Sequence, residues 1–331
     1  MELYLPNNYL NMAGILRDPH PFIIVVGARG TGKTYGALTG ALDQDLKFIY
    51  FRRTQKIIDA VTDPALHIFK RINQDRQRDI QPGRSSGLVR FMEKETCVGY
   101  AAGLSTFANV RGFDGSDIDL IIYDEFIPEP TERVMFNAYT ALLNAVETIG
   151  RNRELEGRPP VKTLLLSNSD LIYSDIVTGL KIGDRLLAMQ ESGVEMLDVS
   201  PELLIIRPTG EAFREQKRDT ALYRLTSGQS YAAVALDNAF PIEDRERIKN
   251  RPLAEYRPLA AIGGICLYKH KSGGSYYVTD KITGAPKLYA SDPADEKRFV
   301  REWLPIWRAH LKRKVFFSGI DVQTRFKQLF E

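Results

Sequence analysis

Cysteine occurs only twice in the 331 residues, at Cys97 and Cys266, and neither stands in a C-x-x-C pair or at metal-ligand spacing from a histidine. A disulfide framework and a cysteine-based zinc site are therefore excluded, and each thiol reads as a small apolar side chain. Long apolar runs are missing as well, and the N-terminal segment carries Glu2 and Asp18. Neither a signal peptide nor a membrane span is expected, so the expectation is a cytosolic protein with no membrane partner. Repeats and low-complexity tracts are absent. Charge of one sign is not in large excess either: the formal net charge of +3 does not by itself nominate a nucleic acid. What remains, 44% hydrophobic and 26% charged residues, is enough to bury a sizeable core divided between two domains.

Against these absences one segment stands out. Gly27, Ala28, Arg29, Gly30, Thr31, Gly32, Lys33 and Thr34 satisfy every constrained position of the G-x-x-x-x-G-K-[ST] phosphate-binding loop. Glycines let backbone N–H groups curl around phosphate oxygens, the lysine reaches the β- and γ-phosphates, and the threonine hydroxyl can hold Mg²⁺. The apolar run Phe22 to Val26 enters the loop as a buried strand would, and Tyr35 to Leu42 leaves it as a helix whose N-terminal dipole faces the anion. ATP with Mg²⁺ is the expected ligand.

Further on, Lys47 to Phe51 reads as a second buried strand ending in the cations Arg52 and Arg53. Asp63-Pro64 is expected to open a helical stretch through Arg78. Gly83 to Ala102 alternates like a small β insertion, with strands at Leu88–Phe91 and Thr96–Tyr100. Ser105 to Asp119 is short-chained and polar, as a mobile loop would be, with Arg111 its only cation. The apolar run Leu120 to Tyr123 then delivers Asp124 and Glu125, an arrangement that looks like a Walker B element. Asp124 would hold Mg²⁺ or its water shell, and Glu125 would accept a proton from the attacking water. P-loop kinases activate a substrate hydroxyl and G proteins orient water with glutamine, whereas a glutamate directly after the metal aspartate marks hydrolysing motors.

A helix with Thr131 as N-cap follows, with Met135, Tyr139, Leu142, Leu143, Val146 and Ile149 at core-facing spacing. It ends at Gly150, before Arg151-Asn152-Arg153. Arg151 has two readings there: a cation favoured by the helix dipole, or an arginine finger supplied to a neighbouring subunit. Val161 to Leu166 is another strand, after which Asn168 is either a γ-phosphate sensor or a turn residue. The C-terminal part reads as a strand meander followed by helices at Glu296–Lys314 and from Val322. Two basic stretches, Lys70 to Arg90 and Lys297 to Lys314, are either solvated faces or polyanion footprints.

The set Gly27–Thr34, Tyr50-Phe51-Arg52-Arg53, Tyr123-Asp124-Glu125-Phe126-Ile127, Arg151-Asn152-Arg153-Glu154, Leu166-Ser167-Asn168 and Leu236-Asp237-Asn238 resembles the DNA-encapsidation ATPases of small short-tailed phages. The resemblance covers most of the chain, in the family's order. It implies an α/β fold: a P-loop NTPase of the additional-strand, catalytic-glutamate type with a RecA-like sheet, a small linker subdomain and an α+β RNase H-like C-terminal domain. The expected divisions are residues 1–200, 201–242 and 243–331. The resemblance further implies a motor that pumps double-stranded DNA into a preformed capsid. Its expected assembly is a homo-oligomeric ring, typically a pentamer, in the host cytoplasm and transiently at the portal vertex. Partners would be the portal of the empty capsid and, in some members, a phage-encoded packaging RNA. Arg151 matches the trans-acting arginine finger, and Arg111 a basic residue, often lysine, that acts across the subunit interface. Arg29 belongs to the family's loop pattern, with no task assigned.

Two departures accompany the resemblance. Arginine at 111 keeps the charge of lysine but changes its hydrogen-bond geometry. The strand Gly263 to Lys269 carries no acid, and Asp280 and Asp292 are scattered, so the C-terminal domain reads as a vestigial nuclease that does not cut. A nucleotide-dependent assembly switch, and another ring-forming P-loop translocase or helicase, are the alternative readings.

Overall fold

The computed structural model describes residues 1–85, 88–110, 113–128, 137–168, 174–229 and 245–330. Arg111, Thr131, Met135 and the Leu236-Asp237-Asn238 signature lie outside the described residues. The chain divides into one unit of Met1–Leu171 with Ala188–Pro241, and a second of Ile172–Leu187 with Ile242–Glu331.

The first unit is built on a nine-stranded sheet in the order β3-β4-β5-β2-β6-β7-β1-β9-β8. The strands are β1 Phe22–Val26, β2 Phe48–Arg52, β3 Ile80–Ser85, β4 Leu88–Glu93, β5 Thr96–Gly103, β6 Leu120–Asp124, β7 Lys162–Ser167, β8 Met196–Ser200 and β9 Leu203–Ile206. From β5 to β9 the neighbours run parallel, and antiparallel strands finish both edges. The central strands carry apolar runs, Phe22–Val26, Leu120–Tyr123 and Leu164–Leu166, and are almost wholly buried, as strands covered on both faces must be. Helices of this unit include α1 Met12–Leu16, α2 Lys33–Asp43, α3 Gln55–Val61, α4 Lys70–Arg76, α5 Leu104–Phe107 and α6 Ala138–Gly150.

Two local expectations change. The stretch from Asp63 yields only the short α4, because turns occupy the preceding residues. The expected β insertion is not separate: β5 pairs in parallel with β2 and carries β4 and β3 into the main sheet.

Register determines what meets at the sheet's C-terminal edge. Val26 lies opposite Ser167, Leu166 opposite Asp124, and Tyr123 opposite Phe51. The residues that follow β1, β7 and β6 therefore emerge side by side, with Arg52 next to them.

The second unit has a five-stranded sheet, β13-β10-β11-β12-β14, formed by β10 Tyr256–Ile262, β11 Ile265–His270, β12 Tyr276–Thr279, β13 Lys287–Leu288 and β14 Val315–Phe317. Gly263 and Gly264, at φ +52° and +80°, turn β10 into β11 through a two-residue link that side chains would strain. Helices Pro293–Leu311 and Ile320–Phe330 supply Phe299, Ile306, Val322 and Phe326 to a core shared with Leu267, Val278 and Phe317. Asp292 caps the first of them, accepting from Ala294 and Asp295 N–H at 2.9 Å. One of the two scattered aspartates thus has a capping role.

α7 Asp175–Gly179 and the start of α8 Gly183–Ser192 belong to this second unit. Asp184 accepts from the Ile320 N–H at 2.8 Å, while Asp321 accepts from the Gly183 and Asp184 N–H groups, so each helix start is capped from the other. Burial first, and the Asp184 charge second, push the Asp321 carboxyl up to about 7. A carboxyl raised on folding stabilises fully below its unfolded value near 3.8, and that contribution is lost as pH rises to about 7. Urea unfolding should therefore show the second unit losing up to ~4 kcal/mol between pH 4 and 8. In Asp321→Asn that dependence should largely vanish; an unchanged pH profile would show that Asp321 is not its source.

Candidate functional site

The loop after β1 uses glycine where the backbone demands it: Gly30 and Gly32 have φ +81° and +84°, and Gly32 is the N-cap of α2 (Lys33–Asp43). Lys33, the first residue of that helix, is buried. Its ammonium donates to the Gly27 carbonyl at 2.9 Å, the Ala28 carbonyl at 2.8 Å and Asn168 Oδ1 at 3.1 Å. Thr34 Oγ1 donates to Asp124 Oδ2 at 2.9 Å. A hydroxyl and a carboxylate converging in this way suit a hard cation that takes further oxygens from phosphate and water, as Mg²⁺ does.

Gly30 through Tyr35, Asp124, Glu125, Ser167 and Asn168 line an open cavity of about 250 Å³. Gly27, Ala28 and Arg29 do not line it, although the first two anchor Lys33 through their carbonyls. Glu125 follows Asp124 in the left-handed region at φ +54°, unusual for a side chain of its size. Strain of this kind costs about 1–3 kcal/mol and accumulates at functional sites.

Arg52 and Tyr50 join the acidic pair from β2. Tyr50 donates its hydroxyl to Asp124 Oδ2 at 2.8 Å, and the Arg52 guanidinium pairs with Glu125 Oε2 while donating to the Tyr50 oxygen at 3.3 Å. Burial first, then the Asp124 charge, pushes the Tyr50 phenol well above its ordinary value. Burial opposes the charge on Arg52, but Tyr50, Asp124 and Glu125 outweigh it and hold the guanidinium protonated. In this structure Glu125 is thus an ion-pair partner rather than a free base. Arg52→Met would remove a buried counter-charge from the acidic pair and should lower unfolding stability by about 3 kcal/mol, read from the urea midpoint. An unshifted midpoint would mean the pair is solvent-compensated.

Arg151 and Arg153, two residues apart, have different surroundings. Arg153 is buried and donates to the Ile118 carbonyl at 2.6 Å and to Asp119 at 3.3 Å, holding the entry to β6. Arg151 is the C-cap of α6, with φ 45° and ψ −128°. Its side chain is 53% exposed and docks on the Phe113 carbonyl at 2.8 Å, and it is not among the residues lining the cavity.

The two basic stretches also differ. In the first, Arg71, Arg76 and Arg78 pair with Asp75, Asp43 and Glu93. In the second, Lys297, Arg301, Arg308 and Lys312 are exposed, and among the described residues no ion pair involves them. Their spacing along the helix Pro293–Leu311 and its C-cap puts them within about 60° of arc, in a stripe ~22 Å long.

Comparison with known proteins adds the family. The podovirus DNA encapsidation protein (Gp16) family matches residues 3–255. The DNA packaging protein of Bacillus phage phi29 is 26% identical over 255 residues, 75% of this chain and 69% of the relative. That of Bacillus phage PZA is 27% identical over 244 residues, 72% of this chain and 65% of its own length. Among solved structures, the Phi-28 gp11 DNA packaging motor has a similar fold, with TM-score 0.68 at 18% identity over 98% of both chains. The bacteriophage Phi-29 viral genome packaging motor assembly does too, with TM-score 0.66 at 20% identity over 99% of both.

Proposed function

Because the chain belongs to the podovirus DNA encapsidation protein (Gp16) family, we propose that it is an ATP-hydrolysing motor that drives double-stranded viral DNA into a preformed capsid. The observation that carries the hydrolytic part of this reading is the meeting of Lys33, Thr34, Asp124, Glu125 and Asn168 around one cavity at the C-terminal edge of the sheet. There, backbone N–H groups from Gly30 to Thr34 receive the β- and γ-phosphates, and Lys33 exchanges its carbonyl and Asn168 partners for phosphate oxygens. Thr34 and Asp124 would hold Mg²⁺, which when bound neutralises developing charge on the phosphates. Asn168, released from Lys33, senses the γ-phosphate or steadies the attacking water.

Glu125 accepts the proton of that water, which requires it to leave Arg52. The ion pair therefore describes a resting site, and turnover begins when arriving charge draws the guanidinium away. Arg151 completes the site of a neighbouring subunit, and Arg111 acts at the same interface. Support for the first is its exposure and its place outside its own cavity.

The β7 strand between β1 and β6 agrees with an additional-strand, catalytic-glutamate P-loop ATPase. In this reading the chain forms a homomeric ring, a pentamer, on the portal of the empty capsid, with a packaging RNA as a further partner, and it works in the host cytoplasm at that vertex. Residues 1–200, 201–242 and 243–331 serve as ATPase, linker and RNase H-like parts. The last binds without cutting. This reading rests on the sequence of Gly263 to Lys269, which places no carboxylate on that strand to hold catalytic metals. Lys297, Arg301, Arg308 and Lys312 are its candidate phosphate contacts.

The test is steady-state ATPase activity with and without duplex DNA, and with purified portal-bearing empty capsids. Stimulation by both, together with protection of DNA from nuclease inside capsids, is expected. ATP turnover indifferent to either would overturn the motor.

A further inference from the structure

A cation from far along the chain touches the phosphate loop. Phe213 and Lys217, four residues apart on α9 Glu211–Arg218, share one helix face. Phe213 packs on Tyr9 with ring centroids 5.4 Å apart, and a Cβ placed on Gly32 would meet Tyr9 at 2.9 Å, so both aromatic rings stand against the loop. Lys217 Nζ donates to the Arg29 carbonyl at 2.5 Å, and a Cβ on Gly30 would come within 2.9 Å of it. The Phe213 and Tyr223 rings flank the ammonium, with centroids 5.3 and 5.4 Å away.

The bonded carbonyl belongs to the peptide that also carries the Gly30 N–H, one of the donors of the phosphate cradle. At φ +81° Gly30 sits in a region where glycine turns at little steric cost, so its own φ does little to fix the orientation of this peptide plane. A charged donor on the carbonyl fixes the plane and polarises the amide, which strengthens its N–H toward an anion. Partial burial, and then the Arg29 charge, lowers the affinity of the Lys217 ammonium for its proton, as expected for a cation held where an anion is to arrive.

We infer that Lys217 is a positioning residue for the phosphate loop: it sets the Arg29–Gly30 peptide for a nucleoside triphosphate and makes α9 register whether the loop is filled. The inference rests on the nucleotide-binding reading of the loop. The ligand it serves is the β,γ-phosphate anion, so triphosphate should feel its loss more than diphosphate.

The test is titration of the full chain with a fluorescent, hydrolysis-resistant ATP analogue and the matching ADP analogue, in wild type, Lys217→Met, Lys217→Arg and Lys33→Ala. Lys217→Met should weaken the triphosphate about tenfold and the diphosphate less than about threefold, as loss of one charge-assisted hydrogen bond implies, with Lys217→Arg restoring the difference. Amide exchange across residues 211–218 should slow on triphosphate binding in wild type but not in Lys217→Met. If Lys217→Met unfolds, the same exchange response in wild type and Lys217→Arg decides the matter. Unchanged triphosphate affinity in Lys217→Met, equal weakening of both ligands, or exchange in α9 indifferent to nucleotide would overturn the inference. A wild type that binds neither analogue, at the level of Lys33→Ala, would overturn the nucleotide reading and this inference with it.

Discussion

Arg151→Ala is expected to reduce steady-state ATP turnover by ~10³–10⁵ while leaving nucleotide affinity nearly unchanged. The factor corresponds to about 4–7 kcal/mol of barrier, the size of effect an inserted arginine has on charge at a transferred phosphoryl group. Affinity should survive because Arg151 is not among the residues lining the cavity of its own chain. Its backbone is held at φ 45° and ψ −128°, a conformation that costs energy and that the helix end alone does not require. What that conformation achieves is a half-exposed guanidinium docked on the Phe113 carbonyl, available to another molecule. A mixed-subunit assay separates this from a folding defect. Arg151→Ala and Glu125→Gln chains, each inactive alone, should together recover part of the turnover, since some interfaces then combine an intact arginine with an intact glutamate. Full turnover by Arg151→Ala alone would remove the assignment.

Glu125→Gln should be nearly as severe, with a loss of ~10²–10⁴ in the chemical step. The exchange keeps shape and removes both the proton acceptor and the anion that pairs with Arg52. ATP should bind and stay intact. Acid-quenched single-turnover reactions with labelled ATP would then contain ATP long after wild type has made ADP. A product burst of normal rate would assign the base elsewhere.

The phosphate loop and the Asp124-Glu125 pair were legible because their chemistry is local: a turn that needs glycine at Gly30 and Gly32, and a buried strand ending in acids. Placing Asn168 near them needed one more step, since parallel strands of similar length end at a common edge, and it does bond Lys33. Arg52 was visible only as a cation at a strand end. Its pairing with Glu125 depends on β2 lying beside β6, and strand order is not written in any one segment. Lys217 was hidden for a similar reason, being 188 residues from the carbonyl it holds. The burial of Arg153 has no local signal in the sequence, because it depends on distant carbonyl partners, here Ile118. The helical expectation after Asp63 failed where polar and apolar residues suited either a helix or successive turns, and tertiary packing chose turns.

The assignment of Ile172–Leu187 to the second unit has a practical consequence. The polypeptide passes from one unit to the other, returns, and passes again, so no single scission releases either one intact. A gene truncated after codon 241 would still encode Ile176, Val177, Ile182 and Leu186, which are buried here, and would delete the rest of the unit to which they belong. Such a fragment carries an orphaned greasy segment into solution. Expression of the catalytic half alone should improve when those side chains are made polar, and the two halves are better separated by design than by protease.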